Sequence, residues 1–177
     1  MQKHYRSKSK GRRIFPVILL ALTAVVLSGR AAQAQNVESV EEINRKIVRQ
    51  AYDDWAKGGT RFFDDVLAPD MQWTIVGSSA SAGTYRGKEE FLTKAVRPFT
   101  ARLSAPLVPT VREIFADKDQ VIILWDGRAT VKDGKPYRNS YAWFFKMKNG
   151  KAVEVTAFLD LPAYEDVLQR IKLPAEK

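Results

Sequence analysis

Two dipeptides, Asp133-Gly134 and Asn149-Gly150, cut the last third of this chain into three apolar runs at 121–131, 137–147 and 152–161. Asp-Gly and Asn-Gly readily supply the positive φ angles of two-residue type I′ turns, so the runs are predicted to form an antiparallel meander. Such turns would pair Lys132 with Lys135 and Lys148 with Lys151, which fixes the register of the whole sheet. Asp126 then lies opposite Tyr141, Arg128 opposite Asn139, and Asn139 opposite Asp160. All five project from one face, together with Leu124, Trp143, Thr156 and Phe158. The other face carries Ile123, Trp125, Ser140, Ala142, Phe144, Val153, Val155, Ala157 and Leu159. A sheet apolar on both faces has to be covered on both. Helices are expected on one face and a second copy of the chain on the other, packed through Trp125, Ala142, Phe144, Val155 and Ala157.

The helices come from the first half. Ser39-Val-Glu-Glu42 has capping-box spacing, Val40, Ile43, Ile47, Ala51, Tyr52 and Trp55 follow on one helical face, and Gly58-Gly59 ends the pattern. A short helix over 60–67, a turn at Ala68-Pro69-Asp70 and a strand over 71–77 are expected next. The small polar stretch 77–87 lacks the Gly-Lys-Ser/Thr ending of a phosphate loop and reads as a rim loop. A helix over 88–103 should bury Phe91, Leu92, Ala95, Val96 and Phe99. Leu161-Pro162 marks the start of a terminal helix, for which Asp160 is a plausible N-cap.

Composition excludes several chemistries. The chain has 177 residues and a formal net charge of +9, but seven of its 29 basic residues and none of its 20 acidic ones fall in the first 34 positions. The remaining 143 residues carry 22 basic against 20 acidic groups, which argues against a nucleic-acid partner. The single histidine, His4, lies in that leading segment, and there is no cysteine. Histidine general-base chemistry, thiol nucleophiles, disulfides and Cys/His zinc sites are therefore excluded from the rest of the chain. Asp117 and Asp119 read as a solvated turn, and the pairs Asp53-Asp54 and Asp64-Asp65 diverge on helices, so no metal and no other cofactor is expected.

The leading segment itself reads as an export signal. A basic stretch ending in Arg12-Arg13 runs into the apolar residues 14–27 and then into Ala32-Gln33-Ala34, a small-residue cleavage pattern before Gln35. The apolar run is shorter than the roughly 20 residues that span a bilayer. Residues 1–34 are thus expected to be a signal peptide and 35–177 a single periplasmic or secreted domain, with no membrane association after cleavage. Gly11 and Pro16 depart from the twin-arginine pattern, which favours the general secretory route.

Three short stretches carry a resemblance: Thr84-Tyr85-Arg86-Gly87 before a helix, Pro136-Tyr137-Arg138-Asn139-Ser140-Tyr141, and Lys148-Asn149-Gly150-Lys151 leading to Phe158-Leu159-Asp160. In this order, over residues 37–170, the chain resembles the SnoaL-like branch of the nuclear-transport-factor-2/ketosteroid-isomerase superfamily. That resemblance implies an α+β, cone-shaped fold, a curved antiparallel sheet covered by about three N-terminal helices around an apolar pocket. It also implies that the free sheet face often forms a homodimer. Relatives commonly hold an acid/base residue where Asp160 stands, with a tyrosine donating to the developing oxyanion; ketosteroid isomerase is the worked case for that chemistry. Tyr141 would be that donor here, and Asn139 would orient Asp160 or the ligand. Tyr52, Trp55, Trp73, Asp126, Arg128, Trp143 and Phe158 are the candidate pocket residues, although Asp126 and Arg128 could form a plain ion pair and the aromatics could be plain core. An epoxide hydrolase pattern would need Asp in place of Tyr141, and a histidine-dependent dehydratase would need a histidine. Two readings remain: a cofactor-independent isomerase, cyclase or hydratase acting on a small apolar oxygenated compound, and a non-catalytic module binding such a molecule. The direction of the Asp160 carboxylate distinguishes them.

Overall fold

Ser39 caps the first helix, α1 (Val40–Ala56), by accepting from the Glu42 backbone N–H. The structure is a computed structural model that describes residues 38–174, so the expected signal peptide lies outside the described residues. Among the described residues no helix is long and apolar enough to cross a membrane. The buried stripe of α1 is Asn44, Val48, Ala51 and Tyr52. Val40 and Ile43, expected inward, are exposed.

After α2 (Phe62–Val66) the chain enters β1 (Leu67–Ile75), which absorbs the expected turn at 68–70 as an irregularity between Leu67 and Gln72. β2 (Gly83–Arg86) folds back antiparallel on β1. The helix expected over 88–103 is broken into α3 (Lys88–Phe91), a π-helical turn (Leu92–Val96) and α4 (Arg97–Thr100). Pro98 offers no N–H to an α-helical ladder, which fits the irregular turn just before it. Phe91, Ala95 and Phe99 still face inward. β3 (Leu103–Asp117), β4 (Gln120–Val131), β5 (Pro136–Lys148) and β6 (Lys151–Leu159) follow, and α5 (Leu161–Arg170) closes the described chain. The sheet has the order β2-β1-β6-β5-β4-β3 and is antiparallel throughout except between β1 and β6. This is the expected α+β class: a curved, unclosed sheet with helices over one face.

The register differs from expectation by one residue, and that difference rearranges the faces. Lys148 does pair with Lys151 across a type I′ turn, with Asn149 at φ 51° and Gly150 at φ 75°. At the other turn only Gly134 has positive φ, and Val131 N–H donates to Lys135 O, which makes a three-residue loop with glycine in the left-handed position. The Asp133 carboxylate accepts from the Lys135 N–H and stabilises that longer turn. Trp125 therefore pairs with Tyr141 and Asp126 with Ser140. A bulge after Lys146 shifts β6 by one, so Trp143 pairs with Ala157 and Phe145 with Val155. Odd-numbered residues of β4 and β5, and of β6 beyond its bulge, now share the helix-covered face.

The consequence is that Asp126, Arg128 and Phe158 lie on the opposite face from Tyr141 and Asn139, not beside them. Trp125, Val155 and Ala157 are core rather than dimer-face residues. Ala142 and Phe144 do lie on the uncovered face, where Phe115, Ile122, Leu124 and Phe158 join them.

Candidate functional site

Helices over the concave sheet face leave one large cavity of about 570 Å³. All four tryptophans of the chain line it, Trp55 from α1, Trp73 from β1, Trp125 from β4 and Trp143 from β5. Strand alternation puts Trp125 against Tyr141 in a parallel stack, with centroids 3.9 Å apart and planes 7° apart. Trp143 stands edge-on to both Trp73 and Trp125, each at 4.8 Å. Trp73 stacks on Phe91 at 4.0 Å, which ties the sheet floor to α3. Gly127 makes the Trp125–Tyr141 stack possible: a Cβ there would lie 3.0 Å from the Tyr141 ring and 2.9 Å from Leu107. The segment Leu103 to Val108, with Gly58, Gly59 and Thr60 after α1, completes the lining.

The polar groups of the lining are hydroxyls and indole N–H groups. No side chain lining the cavity among the described residues carries a carboxylate, amine, guanidinium or imidazole. Thr60 and Thr100 are exposed, while Tyr141 and Tyr164 are buried deeper. The Tyr164 hydroxyl is committed to Ala95 O at 2.8 Å. The indole N–H of Trp73 has no partner, whereas that of Trp125 lies toward the buried Tyr52 hydroxyl, whose pKa it lowers against the larger effect of burial. An unpaired buried donor is costly, and here it sits on the wall of an apolar cavity.

Behind Tyr141 runs a hydrogen-bonded chain that sequence reading anticipated only in part. The Tyr141 and Tyr137 hydroxyls are 2.8 Å apart, and Asn139 Nδ2 donates to Tyr137 Oη at 2.7 Å. Asn139 also grips the Asp160 backbone from both sides: Nδ2 donates to Asp160 O, and Oδ1 accepts from Asp160 N–H, each at 2.9 Å. Burial pushes the Tyr141 phenol well above its ordinary pKa, and the neighbouring Tyr137 adds to the shift. Burial likewise pushes Tyr137 up to about 12, partly offset by its hydrogen bonding with Tyr141 and Asn139, which lowers it. Both phenols are therefore neutral donors at ordinary pH rather than bases.

The Asp160 carboxylate is not part of these hydrogen bonds. Asp160 is the N-cap of α5, its Oδ1 accepting from Ala163 N–H at 3.3 Å, and the residue is exposed. Of the anticipated pocket residues, Trp55, Trp73 and Trp143 line the cavity, as does Tyr141. Tyr52 is fully buried behind it, packed on Trp55, Phe62, Trp125 and Trp143. Asp126 and Arg128 do not pair with each other: Asp126 accepts from Ser140 Oγ at 2.7 Å and faces Arg112 at 3.6 Å. Phe158 is exposed on the outer face. Trp125 and Tyr137 were missed: apolar residues at odd positions on both strands, Ile123 and Trp125 against Tyr141 and Trp143, fit a loop of odd length, but Ile122 and Leu124 fit an even one as well.

A curved sheet with helices folded over one aromatic cavity is the nuclear-transport-factor-2-like fold. The chain belongs to the SnoaL-like domain family, whose model matches residues 48–155. Solved structures agree on the fold. Bal32a, from a soil-derived mobile gene cassette, is 21% identical, with a TM-score of 0.61 over 73% of this chain and 98% of its own. A nuclear-transport-factor-2-like protein of unknown function from Burkholderia pseudomallei is 19% identical, with a TM-score of 0.58 over 72% and 98%. TerC, co-crystallised with polyporic acid, is 17% identical, with a TM-score of 0.59 over 72% and 98%. No curated protein matches the chain.

Proposed function

We propose that this is an exported protein that binds one neutral, largely apolar, oxygenated small molecule between its tryptophans, with the Tyr141 hydroxyl donating to a ligand oxygen. The observation that carries the reading is the lining itself: four indoles, further aromatic rings and hydroxyl donors, without an ionisable group other than phenol. A carboxylate ligand would lose its hydration there with no counter-charge to replace it. Apolar rings with a few acceptor oxygens would instead gain stacking area and pair the waiting donors. TerC, which shares the fold, was co-crystallised with polyporic acid, a ring compound bearing oxygens, and that is compatible with the reading. Native mass spectrometry of protein purified from its own periplasm tests it: a co-purified small molecule supports binding, and its identity replaces the class with a name.

A cofactor-independent isomerase, cyclase or hydratase is the second reading, and one observation favours it. Asp160 is joined through its backbone to Asn139, whose amide feeds the Tyr137–Tyr141 pair at the cavity wall. On that reading Asp160, Tyr141 and Asn139 form the reacting group, and Asp160→Asn abolishes turnover while leaving the fold intact. The exposed apolar face with Phe115, Phe144 and Phe158 is the proposed homodimer surface, since Phe115 is 52% and Phe158 44% exposed in the single chain.

A further inference from the structure

We propose that Asn139 sets the direction of a one-way hydrogen-bond chain, Asn139 to Tyr137 to Tyr141, which holds the Tyr141 hydroxyl proton toward the cavity. The site thereby selects a carbonyl oxygen over a hydroxyl group on the same ligand skeleton. The proposal rests on the binding function proposed above and adds a specificity-determining residue that does not itself touch the ligand.

The direction follows from what each group can donate. The Asp160 backbone N–H can only donate and its C=O can only accept, so the two 2.9 Å bonds fix which end of the Asn139 amide is oxygen and which is nitrogen. One Nδ2 proton goes to Asp160 O, and the other must go to Tyr137 Oη, 2.7 Å away, because an amide nitrogen does not accept. Tyr137 then has a single proton for the 2.8 Å contact with Tyr141. If Tyr141 donated to Tyr137 instead, the Tyr137 proton would be left without an acceptor at a residue only 3% exposed, the costlier arrangement. With Tyr137 as the donor, the spare proton belongs to Tyr141, which lines the cavity.

A ketone oxygen accepts from Tyr141 and leaves nothing unpaired. An alcohol oxygen can also accept, but its own proton then faces aromatic walls. Cross-strand geometry makes Asn139 the source of this bias, because β5 carries Tyr137, Asn139 and Tyr141 on one face at two-residue spacing, next to the end of β6.

The test uses three tricyclic probes of one carbon skeleton, fluorene, 9-fluorenone and 9-fluorenol, titrated against tryptophan emission. The wild-type protein should bind fluorenone on the order of 10-fold or more tighter than fluorenol. In Asn139→Asp the carboxylate accepts from Tyr137, Tyr141 turns its proton inward, and the order should reverse. Tyr141→Phe should bring the two affinities together even if Asn139→Asp does not fold. Fluorene should bind folded Asn139→Asp as it binds the wild type, which separates direction from packing. Equal affinity of the ketone and alcohol for the wild type, or an unchanged order in folded Asn139→Asp, overturns the proposal while leaving the binding function standing. Failure of all three probes, fluorene included, overturns the binding function and the proposal with it.

Discussion

Replacing Asp160 with Ala, and separately with Asn, asks whether its carboxylate works on the helix or on the ligand. The structure gives the helix role a size. Oδ1 accepts from one N–H, that of Ala163, at 3.3 Å, near the long end of useful hydrogen bonds. The Asp160 backbone stays clamped by Asn139 whatever the side chain, so the start of α5 cannot fray freely. Loss of an N-cap costs about 0.5–2 kcal/mol, and the long bond and the clamp place Asp160→Ala in the lower half, about 0.5–1 kcal/mol. For a domain of this size that lowers Tm by roughly 2–4 °C. Asparagine caps nearly as well as aspartate, so Asp160→Asn should cost only a fraction of that amount. Urea unfolding at unchanged m-value reads the stability difference, and fluorene affinity by tryptophan emission, unchanged in both variants, reads the cavity. An Asp160→Ala protein as stable as wild type, or an Asp160→Asn protein that keeps its stability but loses ligand binding or turnover about 10²-fold or more, would refute this reasoning. The second of these outcomes would return the carboxylate to the reacting group.

Phe144→Glu puts a charge in the middle of the uncovered apolar face and should convert a dimer to monomer or aggregate, read by sedimentation; a wild-type monomer at micromolar concentration contradicts the proposed interface. N-terminal sequencing of the native protein should begin at Gln35, and full-length chain recovered from membranes would contradict export by cleavage. Alkaline stability should follow the buried phenols. Tyr137 is raised to about 12 in the fold against about 10 in the unfolded chain, so its contribution is full below about pH 10 and is lost as pH rises through about 12. Urea midpoints measured against pH should fall over that window, less steeply in Tyr137→Phe, and a flat profile would contradict the burial assigned to Tyr137.

What the sequence revealed and what it hid both turn on the closing strands. The meander, the Ser39 cap and the start of α5 were legible because each rests on local chemistry: turn residues, a capping hydroxyl, a proline. The faces were not, because Asp-Gly serves a two-residue turn and a three-residue turn with glycine last equally well, and one residue of slip inverts every side chain. Ile122 and Leu124 are as apolar as Ile123 and Trp125, so hydropathy alone could not choose between the two registers. The cavity was therefore expected with Asp126, Arg128 and Phe158 in it and without Trp125. Asp160 was legible as both acid and cap, and only the three-dimensional path of α5 shows the side chain bonded to Ala163. Asn139 was correctly placed beside Asp160, but its bond to the backbone rather than to the carboxylate depends on where β6 ends.

The central claim is that the tryptophan-lined cavity takes up an apolar ligand, and a fluorene titration of wild type against Ala157→Phe tests it most directly. Ala157 is 1% exposed on the cavity floor, paired with Trp143, so a phenyl ring built there occupies the space between the indoles. The account predicts a saturable change in tryptophan emission at one fluorene per chain in the wild type and none in a folded Ala157→Phe protein. Equal binding by the two proteins, or no saturable change in the wild type, would contradict it.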